Sequence, residues 1–216
     1  MTAEPAYVRH AEFGIELLDA VTLERVSQGV KVVAVGLQGK PIVNASGLFV
    51  WLREAGGQPQ KVIIDPLRLP YERVELTPAQ MTPPLTVVEL SPRADYPFAA
   101  GITGMRGALI EARVDPPEPV RDAAVHLRWL DDTDAWHDAP AVSHTDQRGG
   151  FAVALRLAPG DDPKLDSRGA LTVRLHARRG TEEKESEDRK LPQGRIADPS
   201  TFPKGESALI FAWNEL

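Results

Sequence analysis

The chain has 216 residues, long enough for one large domain or two small ones, since domains commonly run to roughly 100–150 residues. It is 42% hydrophobic and 26% charged, and its lack of cysteine excludes disulfides, thiolate-held metals and thiol nucleophiles and fits a reducing compartment. A formal net charge of −6, with no basic stripe to offset it, argues against nucleic-acid partners.

Residues 1–11 read as an N-terminal arm. Glu4, Glu12 and Glu16 interrupt the first twenty residues, so no signal peptide is expected, and no run nears the roughly 18 apolar residues of a membrane span. The expected location is the cytoplasm. From there the 19 prolines and 17 glycines punctuate short apolar runs, as they do in β-rich chains. DAVTLERVSQ at 19–28 is the one stretch that suggests a helical turn. VKVVAVG (30–36), LFVWL (48–52), KVIID (61–65) and RVEL (73–76) read as strands, and residues 12–78 as a first small β-sandwich.

Residues 79–101 read as a proline-rich linker, with prolines at 83, 84, 92 and 97 just after Pro78. LTVVEL (85–90) within it is a candidate linking strand. Residues 102–216 form the second sandwich, with strands expected at 107–114, 123–130, 151–157, 170–177 and 208–213. The clearest is 151–157, where Phe151, Val153, Leu155 and Leu157 share one face. RRGTEEKESEDRK (178–190) balances five acids with five bases and holds no apolar residue, so it reads as a solvated charged loop or hairpin tip. The fold class is therefore all-β: two Ig-like, transthyretin-like antiparallel β-sandwiches joined by a proline-rich linker.

One motif occurs twice. VNASGLF places Asn44, Gly47 and Phe49 where TDQRGGF places Asp146, Gly149 and Phe151, and the two phenylalanines lie 102 residues apart. An Asx side chain at the start of a type I turn accepts amides two or three residues on. Glycine three residues later takes the left-handed conformation, and the phenylalanine then enters the core early in the returning strand. The second copy keeps an acid and the first does not, which favours a turn over an ion site.

This pattern resembles the carboxypeptidase regulatory-like domains, which are transthyretin-like or prealbumin-like β-sandwiches. Thr145, Asp146, Gly149 and Phe151 match the family's Thr-Asp-x-x-Gly-x-Phe. Pro119, Val120, Ala123 and Val125 match its preceding element, with Asp122 where the family prefers glycine. In the first copy Gly29, Val30 and Val32 fit, Asn44 replaces the aspartate, and Tyr71 stands at an aromatic position of the family. The resemblance covers residues 12–78 and 102–213 and implies non-catalytic modules that bind or orient other proteins.

Candidate chemistry is sparse. Neither HExxH nor GxSxG, P-loop or GxGxxG occurs, and the chain ends FAWNEL rather than in the Tyr-Arg-Gly-Ser tail of transthyretin-like hydrolases. No enzyme activity and no cofactor are expected. His126 and His176 fall in strands, either facing each other across the sandwich or on a polar face. Asp131, Asp132, Asp134, His137, Asp138 and His144 are candidate ligands for a divalent cation, set against a plain exposed acidic loop with Trp136 over the sandwich edge. Trp51 and Trp129 read as core; Trp136 and Trp213 are the two tryptophans free to be exposed.

The resulting expectation is an oligomeric or assembly-bound adaptor or structural subunit that contacts other protein subunits, with a phage-tail-like contractile apparatus as one home. The alternative is a glycan- or divalent-cation-binding module built on the 131–146 loop. Exposed edge strands would serve either by accepting a partner peptide.

Overall fold

A computed structural model describes residues 10–52, 57–112, 115–197 and 209–216. The chain separates into two compact units, Met1–Leu90 and Ser91–Leu216. Among the described residues the structure is all-β apart from one 3₁₀ turn, Pro78–Gln80, and no helix is long and apolar enough to cross a membrane.

The first unit runs β1 (Ala11–Asp19), β2 (Lys31–Val35), β3 (Ile42–Val43), β4 (Phe49–Leu52), β5 (Lys61–Asp65), β6 (Val74–Leu76) and β7 (Leu85–Leu90). These make a sheet ordered β3-β4-β1-β7 and a second ordered β2-β5-β6. Alternation decides the faces. Phe13, Ile15 and Leu17 of β1 are buried with Phe49 and Trp51 of β4, while Val32, Ala34, Val62, Ile64 and Leu76 bury the inner face of the other sheet. Burying each of the valines, leucines, isoleucines and phenylalanines among them stabilises by about 1.5–3 kcal/mol. Tyr71 donates its hydroxyl proton to buried Asp19 at 2.9 Å, tying the segment before β6 to the end of β1.

The second unit runs β8 (Gly104–Glu111), β9 (Glu118–Pro119), β10 (Ala124–Leu130), β11 (Trp136–Asp138), β12 (Ser143–His144), β13 (Gly150–Ala154), β14 (Ala170–Arg179), β15 (Glu182–Glu185), β16 (Arg189–Pro192), β17 (Ile196–Ala197) and β18 (Ile210–Ala212). One sheet is built on β10 and β14, with β11 and β12 along the outer side of β10 and β15 and β16 along that of β14. The other is built on β8, flanked by β13, β9, β17 and β18. A single core cluster takes Leu127, Trp129, Val173 and Leu175 from the first sheet and Met105, Leu109, Phe151, Val153 and Phe211 from the second.

Two expectations are corrected, and two others take a definite form. The sheets are not wholly antiparallel: β7 runs parallel to β1, and β17 and β18 run parallel to β8, because the last strands of each unit return beside its first. Residues 19–28 hold a single helical turn and no helix: the Leu23 amide donates to the Asp19 carbonyl (2.8 Å). The carboxylate of Asp19 accepts the amides of Val21 (2.7 Å) and Thr22 (3.3 Å), and Leu23 adopts φ +60°, which ends the turn. LTVVEL is no free linking strand but the edge of the first unit's sheet. Just beyond it, Ser143 donates to the Pro92 carbonyl (3.0 Å), and the Arg106 guanidinium donates to the carbonyls of Ala94 and Tyr96. The charged stretch 178–190 takes the hairpin form of the two expected, with strand on both sides of its turn. β14 turns at Gly180, whose φ is +62°, directly into β15, and alternating charges suit a face that meets water.

The Asx turn whose side chain takes the amides both two and four residues on occurs four times among the described residues, twice more than the phenylalanine rule reveals. Asn44 Oδ1 accepts from Ser46 (3.0 Å) and Leu48 (2.9 Å), and Asp146 Oδ1 from Arg148 (2.7 Å) and Gly150 (2.8 Å). Asp166 Oδ1 accepts from Arg168 (2.8 Å) and Ala170 (2.9 Å), and Asp131 Oδ1 from Thr133 (2.9 Å) and Ala135 (2.8 Å). The left-handed position is held by Gly47, Gly149 and Gly169, and at the fourth turn by Asp134, with φ from +65° to +79°. These turns launch β4, β13, β14 and β11.

Gly149 and Gly169 differ in surroundings. A Cβ on Gly149 would fall on the carbonyl oxygen of Leu109, well inside contact distance, whereas one on Gly169 meets nothing within 4 Å. Gly169→Ala is therefore expected to cost about 1 kcal/mol, from positive φ alone. Gly149→Ala should cost about 2–4 kcal/mol, since forced backbone shifts add to that strain. Urea unfolding of the two variants checks the order; equal midpoints would refute the steric account.

Candidate functional site

The densest polar cluster lies on the solvent face of the β10–β14 sheet. Buried Val125, Leu127 and Trp129 alternate with His126, Arg128 and Leu130, so period two turns the latter outward. On β14 the same alternation turns Arg174 and His176 outward. The register then sets like groups side by side: Arg128 opposite Arg174, and His126 opposite His176. Like charges directly across a strand pair repel.

Glu185 of β15 relieves the arginine pair. Its Oε1 accepts from Arg128 Nη1 at 2.7 Å and its Oε2 from Arg174 Nη1 at 2.9 Å. Asp138 takes the other side of Arg128 (2.9 Å) and Asp188 the other side of Arg174 (2.7 Å). The Arg174 guanidinium also lies 4.1 Å from the ring centre of Trp136. Burial pushes the Glu185 pKa up, but the bonds from Arg128 and Arg174 together outweigh it and hold the carboxyl below its ordinary value. A carboxyl held this way is a poor proton donor near neutral pH. The ladder is a cross-strand clamp.

The histidine pair is not across the sandwich but within one sheet, with rings 4.6 Å apart. His126 Nε2 lies 3.3 Å from Asp138, and His176 Nε2 lies 3.9 Å from Glu183. Desolvation lowers the pKa of His126, the neighbouring His176 lowers it further, and Asp138 opposes both.

The six candidate cation ligands do not converge. Asp131 gives Oδ1 to its turn and Oδ2 to His137 (2.7 Å), and the His137 bond, with the turn amides, holds its carboxyl far below the usual range. His137 stacks on Trp129 at 4.7 Å. Asp134 pairs with Lys164, Asp138 belongs to the arginine ladder, and Asp132 donates its amide to the Asp162 carbonyl (3.1 Å). His144 is exposed on β12, opposite Ala124. Among the described residues no three His, Asp or Glu are grouped to share a metal ion. Of the tryptophans, Trp51, Trp129 and also Trp213 are buried, and Trp136 is half-buried.

Arg128, Arg174, Glu185 and Asp188 were not singled out by sequence. The available signal was the alternation of charged and apolar residues in HLRWL and VRLHA, which marks a polar face without naming partners. No family model matches the chain, and no curated protein or solved structure matches it.

Two outcomes follow from this face. Glu185→Gln leaves the two arginines unbridged and should cost about 1 kcal/mol, less at high salt, where their repulsion is screened; urea unfolding at low and high salt measures it. His126 binds protons less readily folded than unfolded. Its contribution to stability is thus fully present above its ordinary value of 6.5 and lost as pH falls through the folded value. His126→Gln should make thermal stability fall less steeply across the histidine range, and an unchanged slope would refute the coupling.

Proposed function

We propose that this protein is a non-catalytic adaptor or structural subunit of a larger intracellular protein assembly, built as two copies of one β-sandwich module. The observation that carries this reading is the shared strand plan. In each unit a long first strand, β1 or β8, lies antiparallel to the strand launched by the Asx-x-x-Gly-x-Phe turn and parallel to the last strands. Modules of the carboxypeptidase regulatory-like kind, which the turn sequences resemble, serve to position other proteins. A phage-tail-like contractile apparatus is an assembly of the kind that such a subunit would serve.

The organisation of polar groups supports the same reading. The acids and bases of the second unit's largest cluster are spent on each other across strands, which stiffens a sheet and leaves its edges for partners. The alternative, a glycan- or cation-binding module on the 131–146 loop, has less support, because Asp131, Asp138 and Asp134 of that loop are engaged by a turn, Arg128 and Lys164. Light scattering during size-exclusion chromatography, joined to cross-linking in native lysate, tests the proposal. An oligomer or a defined cross-linked neighbour is expected; a lone monomer with no neighbour would overturn it.

A further inference from the structure

Strands β10 and β14 bring two imidazoles together on the solvent face of one sheet. His126 and His176 are register partners, with ring centres 4.6 Å apart and ring planes inclined at 36°. Their side chains are 21% and 20% exposed, so the pair is sheltered yet open to water. Each Nε2 stands beside a carboxylate, that of His126 at 3.3 Å from Asp138 and that of His176 at 3.9 Å from Glu183. The other nitrogen of His176, Nδ1, is buried and has no hydrogen-bond partner among the described residues. A buried nitrogen left unpaired is costly and calls for a physical reason.

A neutral imidazole that gives its proton to a carboxylate keeps a bare lone pair on its second nitrogen. Metal-holding histidines are arranged in this way, one nitrogen on the ion and the other on a carboxylate that fixes the ring. An imidazole nitrogen binds such an ion at about 2.0–2.1 Å. Ring centres 4.6 Å apart therefore let one ion reach both rings, its two bonds close to a right angle. Turning the rings about Cβ–Cγ costs little, because that torsion is broad. Bonds at right angles suit the square-planar and tetragonal ions copper(II) and nickel(II), which imidazole favours, whereas calcium takes oxygen. Among the described residues no third His, Asp or Glu is grouped with the pair to hold an ion, so water fills the remaining positions.

Nearby charge does not exclude a cation. Arg128 and Arg174 are bridged by Glu185 and flanked by Asp138 and Asp188, and Arg178 stands opposite Glu183 in the β14–β15 register. Desolvation and the neighbouring His176 hold the His126 pKa down, which leaves its ring in the neutral, metal-binding form at pH 7.

We propose that His126 and His176 chelate one divalent transition ion of the copper(II)–nickel(II) class, with Asp138 and Glu183 orienting the two rings. The ligands are nitrogens on two long strands rather than the acids of the 131–146 loop, and the site neither needs nor decides the adaptor reading. The test titrates the full chain with nickel chloride by calorimetry, with calcium chloride as control, and locates the ion from the histidine ring resonances by NMR. One ion per chain, removed by EDTA, is expected, with the His126 and His176 rings perturbed first and no heat from calcium. His126→Gln and His176→Gln should each abolish stoichiometric binding. Glu183→Gln, which keeps both ligands, should weaken it about tenfold, and His137→Gln should leave it unchanged.

Absent heat, perturbation centred on His10, His137 or His144, an equal response to calcium, or full binding by the chain lacking both His126 and His176 would each overturn the proposal. An unchanged affinity in Glu183→Gln would overturn the orienting role of that carboxylate. Amide spectra report whether each variant folds, and the ring resonances of the wild-type chain decide the site even where a variant does not.

Discussion

When the side-chain oxygen of Asn44, Asp131, Asp146 or Asp166 accepts amides two and four residues on, it satisfies donors that a reversing backbone cannot pair in a ladder. It also fixes where the next strand starts, and a strand that starts one residue late shows its core side chains to water. Phe49 and Phe151 reach the core because the turn delivers them there two residues after a left-handed glycine. The two-layer arrangement of each unit therefore depends on a few short polar contacts at its rim.

The turn at Asp131 shows how that control reaches the surface chemistry. By launching β11 it sets Asp138 opposite Arg128 and brings Trp136 beneath Arg174. The ladder on the sheet face is thus downstream of one carboxylate that first looks like a metal ligand. Asparagine serves equally well at position 44, since a turn asks only for an acceptor oxygen and a cation asks for charge.

The strands were largely legible because one face of most is buried and period two survives in the sequence, as in KVVAV of β2. β1 was missed, although Phe13, Ile15 and Leu17 alternate, because Gly14 and two glutamates dilute the run. The turns at Asp131 and Asp166 escaped notice because Trp136 and Leu171, not a phenylalanine, stand five residues after the aspartate, and at Asp131 no glycine lies three residues on. The parallel return of β7 could not be read, since alternation is the same for either direction of pairing. Nor could the bridge from Glu185 to Arg128, whose partners are set by register across strands far apart in sequence.

The parallel pairing of β1 and β7 also bears on how the first unit would answer a pull. Six consecutive register pairs join its opening strand to its closing one, from Gly14 with Leu85 to Asp19 with Leu90. Tension applied at the start of β1 and the end of β7 acts along both strands in opposite senses, so the rungs between them are loaded in shear and must yield together. An antiparallel pair pulled from its open end would instead unzip one rung at a time. Resistance to force is governed by the rate of unfolding rather than by equilibrium stability, and this geometry raises that barrier along the direction in which the chain itself is drawn.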